Sequence, residues 1–261
     1  MRAMWTGGIS FGLIYIPVNL YTATQSVQLD LDMLSKKDKS PIRYARIDTE
    51  TGKEVPWKDV VKGYEYQKGD YVVLTDEDFD KVDIHRSNSI EISCFVDKED
   101  IDPIYFDKPY YLEPAKGAEK TYLLLIKALK KTNRVGVAEF VLKNREHLCI
   151  IKPEGNMLIL NQLRYESEIK PTEKLNLPKN IKLSDKEVHM AEQLIEGMAE
   201  QFDPSDYQDD YLKGLKKIID AKINKKPIKE PKAPPKETDV SEIMEQLQKS
   251  LAQIEESRKS K

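Results

Sequence analysis

Between Glu119 and Lys152 the bases Lys120, Lys127, Lys130, Lys131, Arg134, Lys143, Arg145 and Lys152 face only Glu119, Glu139 and Glu146. Side chains of this kind neutralise phosphates without reading sequence, and binding through them weakens steeply with salt. Lys127, Lys130, Lys131 and Arg134 gather where a helical pattern gives way to a strand, and Lys143 and Arg145 flank a turn. Lys36, Lys37, Lys39, Arg43 and Arg46 form a second basic group, which a solvated face explains equally well. From Asp70 to Glu113 the balance inverts, with thirteen acids against Lys81, Arg86, Lys98 and Lys108. A net charge of −3 thus conceals an acidic shell around a basic middle, which lets one surface hold a polyanion while the rest repels it. Chance segregation over such windows is the bland alternative.

Other chemistry is poorly provided for. No Gly-x-x-x-x-Gly-Lys-Ser/Thr or Gly-x-Gly-x-x-Gly loop cradles a nucleotide. His85, His147 and His189 lack the spacing of metal ligands. Metal-dependent nuclease sites draw carboxylates from separate elements, whereas Asp76-Glu77-Asp78-Phe79-Asp80 is one run at a helix start, where it compensates the dipole. Asp100-Ile101-Asp102-Pro103 suits a turn. No nucleophile has a recognisable base. The expectation is a protein that is not an enzyme, with no catalytic residue, cofactor or metal. Without a base-reading motif or recognition helix, sequence specificity has no carrier.

The elements that hold these bases read as β first, then α. Met4 to Tyr21 reads as a strand with Ile9, Phe11, Leu13 and Tyr15 on one face, with Gly7, Gly8 and Gly12 leaving room for a bulge or close backbone approach. Pro17 suits a strand end or edge. Tyr71-Val72-Val73-Leu74 is a short strand running into Thr75 as a helix N-cap. Ile90, Ile92, Cys94 and Val96 alternate as a half-buried strand. Gly117 to Thr132 is a helix with Tyr122, Leu125, Ile126 and Leu129 inside. A meander follows over 135–143, 148–152 and 157–165, with turns at Asn144-Arg145 and Pro153–Asn156; long hairpins of this kind can leave a barrel and arch away.

Pro171 and Pro178 lead into a helical tail. Ser184-Asp185-Lys186-Glu187 is a capping box opening a helix with Val188, Ala191, Ile195, Met198, Ala199 and Phe202 at helical spacing, ending at Asp203-Pro204. Ser205 to Gln208 repeats the pattern before a second helix with Tyr211, Leu215, Ile218 and Ile219 inside. The boundaries expected are a core over 1–183, a helical region over 184–224, a proline- and lysine-rich linker over 225–239, and an amphipathic helix over 240–261. That last helix places Ile243, Leu247 and Leu251 in one stripe, made either for a partner or for packing on its own domain. Tyr211 and Leu215 are further partner-binding candidates. Cys94 and Cys149 read as buried free thiols in a reducing cytosol. No membrane-length apolar run and no signal-peptide pattern is visible, which points to a cytoplasmic protein.

Five stretches, in order, resemble the bacterial Ku family of DNA-end-binding proteins. They are the opening Met4–Tyr21, then Gly63–Asp78 (beginning Gly63-Tyr64-Glu65-Tyr66-Gln67-Lys68-Gly69-Asp70), Ile101–Pro114, Lys120–Leu125 and Arg134-Val135-Gly136-Val137-Ala138. The resemblance runs from the first residues to about the end of the second C-terminal helix. Some relatives carry a Cys-x-x-Cys pair where this chain has Ile47 to Gly52 without a thiol, so no zinc site is expected there. The resemblance implies a mainly β fold with α: a Ku-type β-barrel core, a β-rich bridge or arch supplied by such hairpins, and an α-helical C-terminal extension. It further implies a nucleoid-associated homodimeric ring that encloses double-stranded DNA ends and recruits an ATP-dependent DNA ligase in non-homologous end joining. The phosphate-binding candidates are Lys36, Lys37, Arg43, Lys127, Lys130, Lys131, Arg134, Lys143 and Arg145. Two rivals stay open: a barrel that protects ends from nucleases without recruiting a ligase, and an interaction module with no nucleic-acid role.

Overall fold

The first strand pattern is a hairpin. In the structure, a computed structural model that describes residues 1–82, 88–143, 145–179 and 181–227 (the Asp80 side chain excepted), β1 spans Trp5–Phe11 and β2 Ile14–Thr22. Gly12 adopts a φ of +56° at the first position of the two-residue turn, which only glycine takes cheaply, so the expected single strand folds back at Gly12-Leu13. Leu13 is fully exposed at the tip rather than aligned with Ile9. Pro17 lies inside β2, not at an edge. Its carbonyl accepts the Ala115 N–H at 2.9 Å, just past the end of the neighbouring strand, so its missing N–H leaves no ladder bond unmade.

The remaining elements of the first unit, Met1–Thr172, are β3 (Lys62–Gln67), β4 (Asp70–Leu74), α1 (Asp76–Val82), β5 (Ser89–Asp97), β6 (Phe106–Pro114), α2 (Glu119–Thr132), β7 (Arg134–Leu142), β8 (Arg145–Glu154) and β9 (Met157–Leu163). Seven strands close a barrel in the order β1-β2-β6-β9-β8-β7-β5. All neighbours are antiparallel except β1 and β5, whose short parallel pairing of Gly8–Ser10 with Ser89–Glu91 makes the seal. Closure leaves the wall no free edge to pair with another chain. The helix α2 buries Tyr122, Leu125, Ile126 and Leu129, the residues its spacing selects. They join Ile9, Ile16, Leu20, Leu112, Phe140 and Leu158 in one cluster. Along β8, Ile151 belongs to that cluster and Ile150 to a second one with Val135 and Leu163, so this strand is covered on both faces.

Two expectations fail here. The hairpins over 135–165 do not arch away; they are β7, β8 and β9, the barrel wall. What departs is the chain after Thr22, which rejoins the barrel at Ser89 and, among the described residues, carries β3 and β4 as a separate two-stranded sheet. Cys94 is exposed, not buried. A bulge between Ile92 and Cys94 slips the alternation by one residue and turns the thiol outward. Cys149 is buried as expected, and burial pushes its thiol well above the ordinary range.

The second unit, Glu173–Lys261, holds α3 (Asp185–Met198) and α4 (Asp210–Ile223). The capping box is present: Glu187 N–H donates to Ser184 Oγ, and Ser184 N–H to Glu187 Oε2 at 2.7 Å. The expected inner face is displaced, however. Met190 is the buried residue of α3, while Val188, Ile195, Met198 and Phe202 are exposed, and the helix ends at Met198 before Phe202 is reached. Asp209 rather than Ser205 caps α4, accepting the Leu212 N–H at 2.8 Å, because Pro204–Asp206 forms a short 3-10 turn of its own. Tyr211 and Ile218 are exposed where an inside position was expected; Leu215 and Ile219 are half-buried. Ile243, Leu247 and Leu251, the helix over 240–261, the linker beyond residue 227, Asn144 and His85 all lie outside the described residues.

Candidate nucleic-acid interface

Strand directions sort the basic candidates into two groups. The end of β2, the start of β5 and the β7–β8 turn share one end of the barrel, since β2 and β7 run down towards it while β5 and β8 run up from it. The excursion carrying Lys36, Lys37 and Arg43 therefore leaves from the same end as Lys143 and Arg145. The end of α2 and the start of β7 lie at the other end. From Arg134 to Leu142 β7 advances about 26 Å, at about 3.3 Å per residue. The window that looked like one patch in the sequence is split across the barrel.

All nine candidates are exposed. At the α2 end, two are engaged: Lys130 Nζ donates to the Gly155 carbonyl at 2.6 Å, and Arg134 Nε lies 3.4 Å from Asp97 Oδ1 across the β5–β7 pair. Lys127 and Lys131, one turn apart on α2, have no ion pair among the described residues. Both Lys130 and Lys131 also sit in the last turn of α2, where a cation compensates the helix dipole, so structural duty accounts for part of this group.

At the excursion end, the bases stand on two locally closed turns. The Leu34–Pro41 bridge closes a turn in which Lys39 takes a φ of +61° and its Nζ donates to Lys36 O at 3.2 Å. Asp38 accepts from Ser40 N–H at 3.2 Å, and hydrogen bonds from Ser35 and Ser40 hold its carboxyl below the usual range. A second turn, at the Ile47–Glu54 bridge, is closed by Asp48, which accepts from Glu50 and Thr51 N–H at 2.9 and 2.8 Å. This is the stretch without thiols, and a carboxylate closes its turn. Arg46 stacks on Trp57, its guanidinium carbon 4.4 Å from the ring centroid. That cation–π pair was missed in the sequence because its members are eleven positions apart with no periodic pattern between them. Lys143 takes a φ of +53° at the β7–β8 turn beside Arg145, the first residue of β8.

The excursion also exposes apolar surface. Every residue of β3 and β4 is exposed, including Tyr64 and Val72 paired on one face and Tyr71 and Val73 on the other. A lone two-stranded sheet is marginal in water, and this one has unpaired outer edges and two bare faces. Among the described residues no group of three or more His, Cys, Asp or Glu side chains is placed to hold a metal ion, and no helix is long and apolar enough to cross a membrane. His147 is half-buried, its Nδ1 3.0 Å from Gln162 Nε2, and burial lowers its pKa.

Barrel, excursion and helical unit together define a mixed β/α barrel protein with basic surfaces at both barrel ends. The family model of the Ku70/Ku80 β-barrel domain matches residues 10–190, and the chain belongs to the Ku family. It is 38% identical to the non-homologous end joining protein Ku of Coxiella burnetii over 99% of this chain and 97% of that one. Identity with the protein of the same name from Opitutus terrae is 40%, over 97% and 92%. For the one from Bacillus subtilis it is 36%, over 96% and 82%.

Proposed function

We propose that this chain binds ends of double-stranded DNA without sequence preference in non-homologous end joining, as a homodimeric ring that recruits an ATP-dependent DNA ligase. The observation that carries the reading is the excursion: a long segment leaving a closed barrel, with basic turns and an apolar hairpin bare on both faces. A second copy is the occupant that covers such a hairpin and closes a ring, because a two-fold arrangement presents the same patch twice. Enclosure then retains the duplex with few contacts and no base readout. Lys143, Arg145, Lys36, Lys37 and Arg43 are the first phosphate contacts in this reading; Lys127 and Lys131 form a more distant second set. Ligase recruitment is assigned to the C-terminal region, through the exposed Tyr211 with Leu215 and through Ile243, Leu247 and Leu251.

A gel-shift series on linear, covalently closed circular and hairpin-blocked duplexes tests the end requirement. Linear duplex should be retained at moderate salt and the other two released. Equal retention of the closed circle would remove the ring reading. Deleting residues 228–261 should preserve end binding and lower ligase stimulation; full stimulation by the truncated chain would move the recruiting surface upstream.

A further inference from the structure

A cleft of about 710 Å³ opens where α2 begins, on the face of β6 that carries Tyr111 and Glu113, opposite the core residues Tyr110 and Leu112. Tyr21 and Tyr111, partners across β2 and β6, form its aromatic wall. Leu123 and Met157 form an apolar rim and remain 44% and 42% exposed. The charged side chains are Glu113 and Glu119, Met1 with its terminal ammonium also lines the cleft, and no Lys, Arg or His does. Tyr21 Oη donates to Glu113 Oε2 at 2.6 Å, which fixes that carboxylate and holds the phenol above its usual range. Neither glutamate has a basic partner among the described residues. Tyr122 keeps the cleft in shape from behind: its hydroxyl donates to Leu112 O at 2.5 Å and accepts the Leu158 N–H at 2.7 Å, pinning α2 to β6 and β9.

Two unpaired carboxylates repel a nucleic acid, while a fixed carboxylate beside aromatic faces attracts an arginine or lysine head. A small free cation would leave the apolar rim bare. We propose that this cleft docks a segment of a partner protein in which an arginine or lysine stands next to an apolar residue, the base reaching Glu113 and its neighbour covering Leu123 and Met157. The cleft runs from Tyr21, the residue before β2 ends at Thr22, to the β8–β9 turn, and none of the nine basic candidates for DNA contact lines it.

The test uses the full chain with methyl-labelled methionine, the Met157 signal being assigned with Met157→Leu. The probes are acetylated, amidated Leu-Arg-Leu, Leu-Lys-Leu and Leu-Gln-Leu. The two basic peptides should shift Met157 saturably, and the glutamine peptide should bind at least about tenfold more weakly, the loss expected with a charge-assisted hydrogen bond. Glu113→Gln should cost the basic peptides a similar factor and leave duplex binding unchanged. Should that variant fail to fold, Leu123→Ala serves in its place and should also weaken the peptides. Equal binding of the glutamine peptide, no shift by any peptide, indifference to the folded variant, or displacement of a bound peptide by duplex DNA would each overturn the proposal.

Discussion

Gly7 and Gly8 show how much a single hydrogen atom matters at the barrel seam. A Cβ on Gly7 would lie 2.2 Å from the Asn88 carbonyl oxygen, backbone that cannot yield without moving the start of β5. A Cβ on Gly8 would meet the Tyr15 ring, also at 2.2 Å, but that ring is exposed and can rotate away. Gly7→Ala should therefore lower the unfolding free energy by a core-like increment of about 1–3 kcal/mol, and Gly8→Ala by clearly less. Urea unfolding of the two variants checks this; equal losses would mean that the seam flexes. The sequence pattern anticipated a close backbone approach here because glycines in a strand have few other uses. It could not anticipate that Cys94 faces solvent, because one inserted residue reverses an alternation without leaving a mark in composition. The Tyr21–Glu113 bond was equally hidden, since partners 92 positions apart meet only after the barrel closes.

At the scale of elements, helices were legible where one stripe is apolar and obscure where two are. The inner face of α2 follows from its spacing alone. In α3 the stripe through Val188, Ile195 and Met198 competes with one through Met190 and Leu194, and the sequence cannot rank them; burial selects the second. Its start was readable because Ser184 and Glu187 form a local device. Ser184→Ala should cost α3 about 1 kcal/mol, seen as lower helicity on heating. Hydrogen bonds from Ser184 hold the Glu187 carboxyl below its ordinary range, so the cap's contribution is full above the usual carboxylate range. It is lost as pH falls through the lowered folded value, and acid titration should fray α3 while Glu187→Gln removes the dependence. The split of the basic window is an element-scale result too, and it yields a two-arm test of DNA contact. Reversing Lys143 and Arg145 to Glu should weaken duplex binding on all sequences alike and flatten its salt dependence. Reversing Lys127 and Lys131 should weaken it less. The opposite order in a salt-titrated gel shift would place the DNA at the α2 end.

For the whole molecule, the decisive quantity is the apolar surface that the first unit leaves uncovered. The barrel satisfies itself: its wall has no edge, and its core residues from Ile9 to Leu160 are almost wholly buried. The excursion does the reverse, with Tyr64, Tyr71, Val72 and Val73 all about half exposed or more on a sheet of two strands. Burying such side chains is worth about 25 cal/mol per Å² of apolar surface, and the adjoining helix α1, which meets the sheet where Lys62 lies over the Phe79 ring at 4.6 Å, leaves all four exposed. If a second copy covers them, dimer formation and the order of the hairpin are one event, so thermal midpoints should rise with protein concentration. Replacing Tyr64 and Val72 together by Lys charges one face of the hairpin without touching the barrel. Sedimentation should then find a folded monomer, with the barrel's near-ultraviolet dichroism retained and retention on linear duplex lost at moderate salt. The two readouts separate the causes. A variant that stays dimeric puts the interface elsewhere, whereas a monomer that still distinguishes linear from circular duplex shows that end recognition does not depend on enclosure. Loss of both dimer and end preference, with the barrel intact, is the outcome that a ring closed through β3 and β4 requires.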